Sequence, residues 1–154
     1  KEVTVRYTYL GDFLANPRFQ TQAVSWYNDG VDVIFHAAGG AGGSVMSAAE
    51  EVDAKVIGVD VNQNDESDTV ITSAMKNLQG SVYNAVKAAI EGGFEGGKLL
   101  TLGVEADGVQ LPNDFSKFET FTEADYNTIY ETLQNDVDGV TSGIPTLFTH
   151  GDLV

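Results

Sequence analysis

The sequence predicts an α/β protein built on a parallel sheet, and three observations carry that prediction. Strand-length apolar runs alternate with helix-length amphipathic segments through the first half of the chain, in the order β-α-β-α-β. The connections are short, which in that order implies right-handed crossovers and parallel strands. The runs at 31–35 and 55–59 are nearly continuous in apolar residues, as in strands covered on both faces.

The elements follow in order. Residues 2–10 alternate Val3, Val5, Tyr7 and Tyr9 with Thr4, Arg6 and Thr8, and read as a strand with one more polar face. Asn16-Pro17 opens a helix, with Asn as cap and Pro at the first helical position, running to about Asn28. Residues 31–35 form the next strand, and Gly39, Gly40, Gly42 and Gly43 follow it. Residues 44–51 have helical apolar spacing, 55–59 form a strand with Asp60 just beyond it, and 69–73 form a fourth strand that delivers Lys76. The spacing of Leu78, Val82, Ala85, Val86, Ala89 and Ile90 predicts a helix over 77–90. After a glycine-rich break come a strand at 99–104 and a short antiparallel partner at 108–111. Thr122 caps a helix with Asp125 three residues on and a stripe of Tyr126, Ile129, Tyr130, Leu133 and Val137. The tail from Gly139 is turn-rich. Residues 1–73 thus read as a regular βαβαβ series and 99–154 as less regular, and the chain divides into a core over 1–76, a segment over 77–111 and a C-terminal helix and tail over 112–154.

Composition narrows the function. Eight basic and 23 acidic residues give a net charge of −15, the opposite of the basic footprint that nucleic acid or an anionic membrane surface requires. No cysteine is present, so disulfides, thiolate catalysis and Cys-ligated metals are excluded. No apolar run reaches the length of a membrane span. The chain opens directly on strand-like sequence, which suits a mature protein or a fragment alike.

Ligands of open parallel sheets bind at the carboxyl ends of the strands. Phe35, the glycine loop, Asp60 and Lys76 all fall there. The loop could cradle phosphate at a helix N-terminus, but it lacks the last glycine of GxGxxG and has no GK[ST]. Its glycines equally suit close helix–strand packing, or exposed N–H groups meeting a neutral polar ligand. Asp60 suits paired hydrogen bonds from vicinal hydroxyls, or simply a loop cap. Lys76 suits a ligand carbonyl or ring nitrogen, or a solvated partner for nearby acids. Phe35 suits stacking on a planar ligand, or ordinary core. Asp60 and Asp65 do not match the spaced EF-hand pattern, so no metal is expected. His36 can be drawn with Ser44 and Asp60 as a triad, but no GxSxG elbow supports it and His150 is the only other histidine. Catalysis is the weaker class, and no cofactor is expected.

The runs GVDVIFHAAGGAGGSVMSAAEE, VIGVDVNQ, VITSAMKNLQGSVYNAVKAAIEGGFEGG and LGVEADGVQLP together resemble the BMP family, the basic membrane lipoprotein or PnrA-like substrate-binding proteins of ABC importers. The opening TYLGDFLANPRFQTQAVSWYNDG is similar to part of that family's second lobe, and Asn62 stands where the family often has Asp. The resemblance implies a three-layer parallel-sheet lobe of the type I periplasmic-binding fold, with the first lobe largely absent. It implies a purine nucleoside held in an interlobe cleft, with Phe35 on the base, Asp60 on the ribose hydroxyls, Lys76 reaching the ligand, and Gly39 and Gly40 lining the cleft. The implied partner is an ABC importer permease, and the implied location is outside the cytoplasm, on a lipid anchor not contained in this chain. Residues 77–111 are then expected to pack on the missing lobe. A receptor for a sugar or another small solute, and a flavodoxin- or Rossmann-like nucleotide enzyme with phosphate at Gly42–Ser44, are the alternatives.

Overall fold

The computed structural model describes residues 3–144, which form two compact units divided between Lys76 and Asn77. In the first unit the order is α1 (Pro17–Asn28), β1 (Val33–Phe35), α2 (Gly42–Val52), β2 (Lys55–Asp60) and β3 (Val70–Lys76). β1 pairs parallel with β2, and β2 parallel with β3, with a register irregularity at Val56/Ile57. Of the two predicted crossovers, the one through α2 between β1 and β2 is present; the one through α1 is not formed as a strand-to-strand connection, since residues 3–10 make no strand, and β2 reaches β3 through a turn-rich loop.

Local chemistry sets the helix ends. The Asn16 side chain accepts from the Arg18 N–H at 2.9 Å, and Pro17 takes the first helical position where its missing N–H costs nothing. α2 ends on Asp53 in the left-handed conformation, which Asp tolerates better than most residues. The core lies between the sheet and these two helices. Ala23 of α1 and Val45, Met46, Ala48 and Ala49 of α2 pack with Ile34, Val56 and Val70. Val56 and Val70 are wholly buried, each contributing about 1.5–3 kcal/mol of apolar burial.

The second unit contains α3 (Leu78–Glu91), β4 (Val109–Gln110) and α4 (Glu123–Gln134), with 3-10 turns at Val104–Ala106 and Val137–Gly139. Its organising contacts are polar and aromatic. The Tyr130 hydroxyl lies 3.3 Å from the Val104 carbonyl and 3.0 Å from Asp107, and Leu111 N–H donates to the Tyr126 hydroxyl. Phe115 touches the rings of Phe118, Phe121 and Tyr126. The capping box at Thr122 and Asp125 is formed reciprocally. α3 has no buried residue, and Val82, Tyr83, Val86 and Ile90 of its apolar stripe are all exposed.

Several sequence expectations are corrected. Among the described residues, 3–10 form no strand and make no backbone hydrogen bond; alternation predicts a strand's side-chain pattern and cannot supply its neighbour. The strand expected at 99–104 is likewise absent, and Leu99 and Leu100 are strongly exposed. Asp60 and Lys76 are the last residues of β2 and β3 rather than following them, and Asn77 caps α3 instead of opening it. α2 starts at Gly42, two residues early, since the glycines wind into a 3-10 turn (Gly39–Ala41) that leads straight into it. Val137 lies beyond α4. The turn-rich tail over 145–154, with His150, and the start of the first predicted strand at Glu2 lie outside the described residues.

Candidate functional site

The carboxyl ends of the three parallel strands carry the predicted residues. Asp60 and Lys76 come together, with Nζ 2.7 Å from Oδ1, both side chains partly open to solvent. The contact is an ion pair without hydrogen-bond alignment, as Oδ1 has no hydrogen-bond partner. Such an open pair contributes at most about 1 kcal/mol, so a ligand can compete for it at little cost.

Asp60 also bears backbone strain. Its φ is +68°, and the Val61 N–H donates to the Val59 carbonyl at 2.8 Å across it. An i to i+2 bond around a residue of positive φ is the rare, strained form of the γ-turn. Residues so held cost about 1–3 kcal/mol and persist where their surroundings over-determine them. The surroundings here are Gln63 and Ser73. The Gln63 side chain accepts from the Val59 N–H at 2.8 Å, and the Gln63 backbone N–H donates to the wholly buried Ser73 Oγ at 3.0 Å. The pair clamps the loop after Asp60 down onto β3. Sequence reasoning missed both residues. The available signal was Gly58 inside a strand, a mark of close approach by another group. A Cβ there would lie 2.5 Å from Ser73 Oγ and 2.9 Å from Gln63 Oε1.

Phe35 ends β1, 52% exposed and in register with Ile57. Ile57 is three residues, about 10 Å, before Asp60 along the strand. The ring and the carboxylate thus stand on neighbouring strands toward the same end of the sheet. Gly39 and Gly40 are exposed, but packing accounts for their lack of a side chain. A Cβ on Gly39 would approach the Phe13 ring at 3.3 Å, and one on Gly40 the Phe13 carbonyl at 3.0 Å.

His36 is buried, and neither ring nitrogen has a hydrogen-bond partner. Burial holds its imidazole below the ordinary histidine range, against the opposing pull of its own backbone contact and of Glu66. Ser44 Oγ accepts the Asn16 N–H at 2.9 Å. His36 is therefore bonded to neither Ser44 nor Asp60, and the triad drawn from sequence is not assembled. The phosphate-loop arrangement also fails to form. Gly42 is buried against the His36 ring, and Ser44 is buried holding the start of α1.

A parallel sheet with polar residues gathered at its strand ends is the arrangement in which open α/β folds bind ligands. The fold agrees: a solved ABC transporter solute-binding protein from Aeropyrum pernix K1 superposes with a TM-score of 0.66 at 25% identity, over 88% of this chain and 42% of that one. The chain belongs to the Bmp family, the ABC transporter substrate-binding protein PnrA-like family, whose model matches residues 1–140. Basic membrane protein D of Borreliella burgdorferi (strain JD1) is 35% identical over 136 residues, 86% of this chain and 40% of that protein. The ABC transporter nucleoside-binding protein BmpA of Lactococcus lactis subsp. cremoris (strain MG1363) is 28% identical over 131 residues, 73% of this chain and 37% of that protein. The chain thus spans about two fifths of the length of these relatives. Among the described residues no helix is long and apolar enough to cross a membrane.

Proposed function

We propose that this chain supplies one wall of the ligand cleft in the extracytoplasmic substrate-binding component of an ABC importer, and that the ligand is a purine nucleoside. The observation that carries the reading is Asp60, a strained carboxylate at a strand end, clamped by Gln63 and Ser73 and answered only by a solvent-open lysine. Strain held in this way is the mark of a residue kept for a ligand. In this reading the Asp60 carboxylate accepts both vicinal ribose hydroxyls, Lys76 turns to a base or ribose acceptor, and the exposed Phe35 ring stacks on the base. The name of the Lactococcus relative favours a nucleoside over a free sugar. Gly39 and Gly40 border the cleft as backbone, with Phe13 packed behind them. The exposed apolar stripe of α3 suits a surface covered by the rest of a family-length protein, the first lobe included. Capture and hand-over to a permease need lobe closure, not chemistry.

The test is calorimetric titration of the family-length protein with inosine, guanosine, adenosine, ribose and NAD. Free nucleosides are expected to bind and ribose alone to bind weakly. Binding of NAD without binding of nucleosides would refute the reading. Asp60→Ala is expected to weaken nucleoside binding by about 1.5–3 kcal/mol, the worth of charged hydrogen bonds. An unchanged affinity removes Asp60 from the site.

A further inference from the structure

We infer that Gln63 is a positioning residue that sets the preference for a ligand with two vicinal hydroxyls over one that lacks a hydroxyl of the pair. Its role rests on the reading of Asp60 as the ribose contact, and adds to it a side chain whose amide is turned to the protein's own backbone and to Glu66.

The need for such a residue arises where β1 stops short of the end of β2. The His36 N–H donates to the Ile57 carbonyl, and in a continued parallel ladder the Val59 N–H would donate back to the His36 carbonyl. That carbonyl instead accepts the Ala38 N–H at 2.8 Å, because the chain turns away toward the glycine loop. The Val59 N–H, one residue before Asp60, has thus lost its place in the ladder, and Gln63 Oε1 accepts it at 2.8 Å. An unpaired N–H costs about as much as a lost hydrogen bond, so without Gln63 the strand end would shift toward another acceptor.

The amide is held at both ends. Gln63 Nε2 donates to Glu66 Oε2 at 3.1 Å, and the Glu66 N–H donates back to the Gln63 carbonyl at 3.0 Å. A side-chain amide has donors at one end and an acceptor at the other, so a carboxylate beside Nε2 keeps Oε1 toward Val59. The Gln63 backbone is tied in turn to Ser73 Oγ on β3. Residues 59–63 thereby form a closed loop around Asp60, and the +68° φ of Asp60 persists because both of its flanks are fixed. The consequence is one of specificity. Accepting two vicinal hydroxyls demands a single carboxylate orientation, whereas accepting one hydroxyl tolerates many, so loosening Asp60 penalises the paired contact more.

The test titrates the family-length protein with inosine, guanosine and adenosine and with their 2′-deoxy forms. The unsubstituted protein is expected to prefer the ribonucleoside by at least about tenfold, the worth of one charged hydrogen bond. Gln63→Ala is expected to cut that ratio to about threefold or less by weakening ribonucleoside binding, with 2′-deoxynucleoside binding nearly unchanged. Equal weakening of both, or of neither, overturns the proposal, because a residue that only stabilises the lobe cannot tell the two ligands apart. In Asp60→Ala, adding Gln63→Ala is expected to leave the ratio where it was, and a further fall overturns the proposal. Gln63→Glu sets a carboxylate against Glu66 and is expected to lose the preference. Combining it with Glu66→Gln exchanges donor and acceptor and is expected to restore the ratio to within about threefold of the unsubstituted value. Failure of that exchange overturns the proposal even where Gln63→Ala is too unstable to titrate. A preference lost in Asp60→Ala and kept in Gln63→Ala removes the role of Gln63 alone; a preference kept in Asp60→Ala refutes the reading of Asp60 and this role with it.

Discussion

Two adjacent glycines at the start of α2 are expected to respond to alanine with opposite signs. Gly42 has helical dihedrals, φ −56° and ψ −32°, so alanine is conformationally acceptable and would on that ground alone stabilise by about 0.4–1 kcal/mol. A Cβ at that position would lie 2.2 Å from His36 Nδ1, 2.4 Å from Cε1 and 3.0 Å from Cγ. The His36 ring is itself buried, only 3% exposed. Overpacking of this kind costs about 1–3 kcal/mol and outweighs the entropic gain. At Gly43 a Cβ would meet nothing within 4 Å, so only the gain remains. Urea unfolding should give a lowered midpoint for Gly42→Ala and an unchanged or raised one for Gly43→Ala, with similar slopes. His36→Ala should remove most of the penalty of Gly42→Ala, a non-additivity expected of residues in contact. If Gly42→Ala is as stable as Gly43→Ala, the close packing of His36 beneath the α2 terminus is wrong.

His36 makes stability pH-dependent: burial lowers its folded-state pKa, so below about 6.5 the unfolded chain binds the proton first and stability falls with pH until the folded pKa is passed. His36→Asn should flatten that part of a urea-midpoint profile taken from pH 7.5 downward relative to the unsubstituted chain, and an identical slope would rule out the residue. Thr122→Ala should cost about 1 kcal/mol, read as lost helical ellipticity and a lower midpoint, since Thr122 accepts the Asp125 N–H at 3.3 Å and donates to its carboxylate at 2.6 Å. Those bonds from Thr122 hold the Asp125 carboxyl below its ordinary range, so the contribution is present above that range and lost as pH falls through the lowered value. Asp60→Gly should relieve the positive φ and leave the fold as stable or up to about 1–2 kcal/mol more so, while nucleoside binding weakens; a loss of stability would contradict the strain.

Much of the first unit was legible because its signals are local. Asn16-Pro17 fixes a helix start whatever surrounds it, and the apolar runs around Ile34, Val56 and Val70 can be buried only in a covered sheet. Thr122 and Asp125 announced their cap by spacing alone. The strand-end positions of Phe35, Asp60 and Lys76 followed from topology, since a parallel sheet gathers its carboxyl ends on one side. Residues 3–10 and 99–104 carry strand-like sequence without forming strands, because a strand needs a partner's backbone and side-chain patterning cannot provide one.

By itself, then, the sequence determined the α/β class, the helix caps and the side of the sheet on which polar residues collect. These depend on periodicity and on contacts a few residues apart. Only the tertiary structure decided that Asp60 is strained and paired with Lys76, that Gln63 and Ser73 hold it, and that His36 lies unpartnered against Gly42. Each of those depends on groups brought together from different elements, with angles and distances that no spacing along the chain encodes.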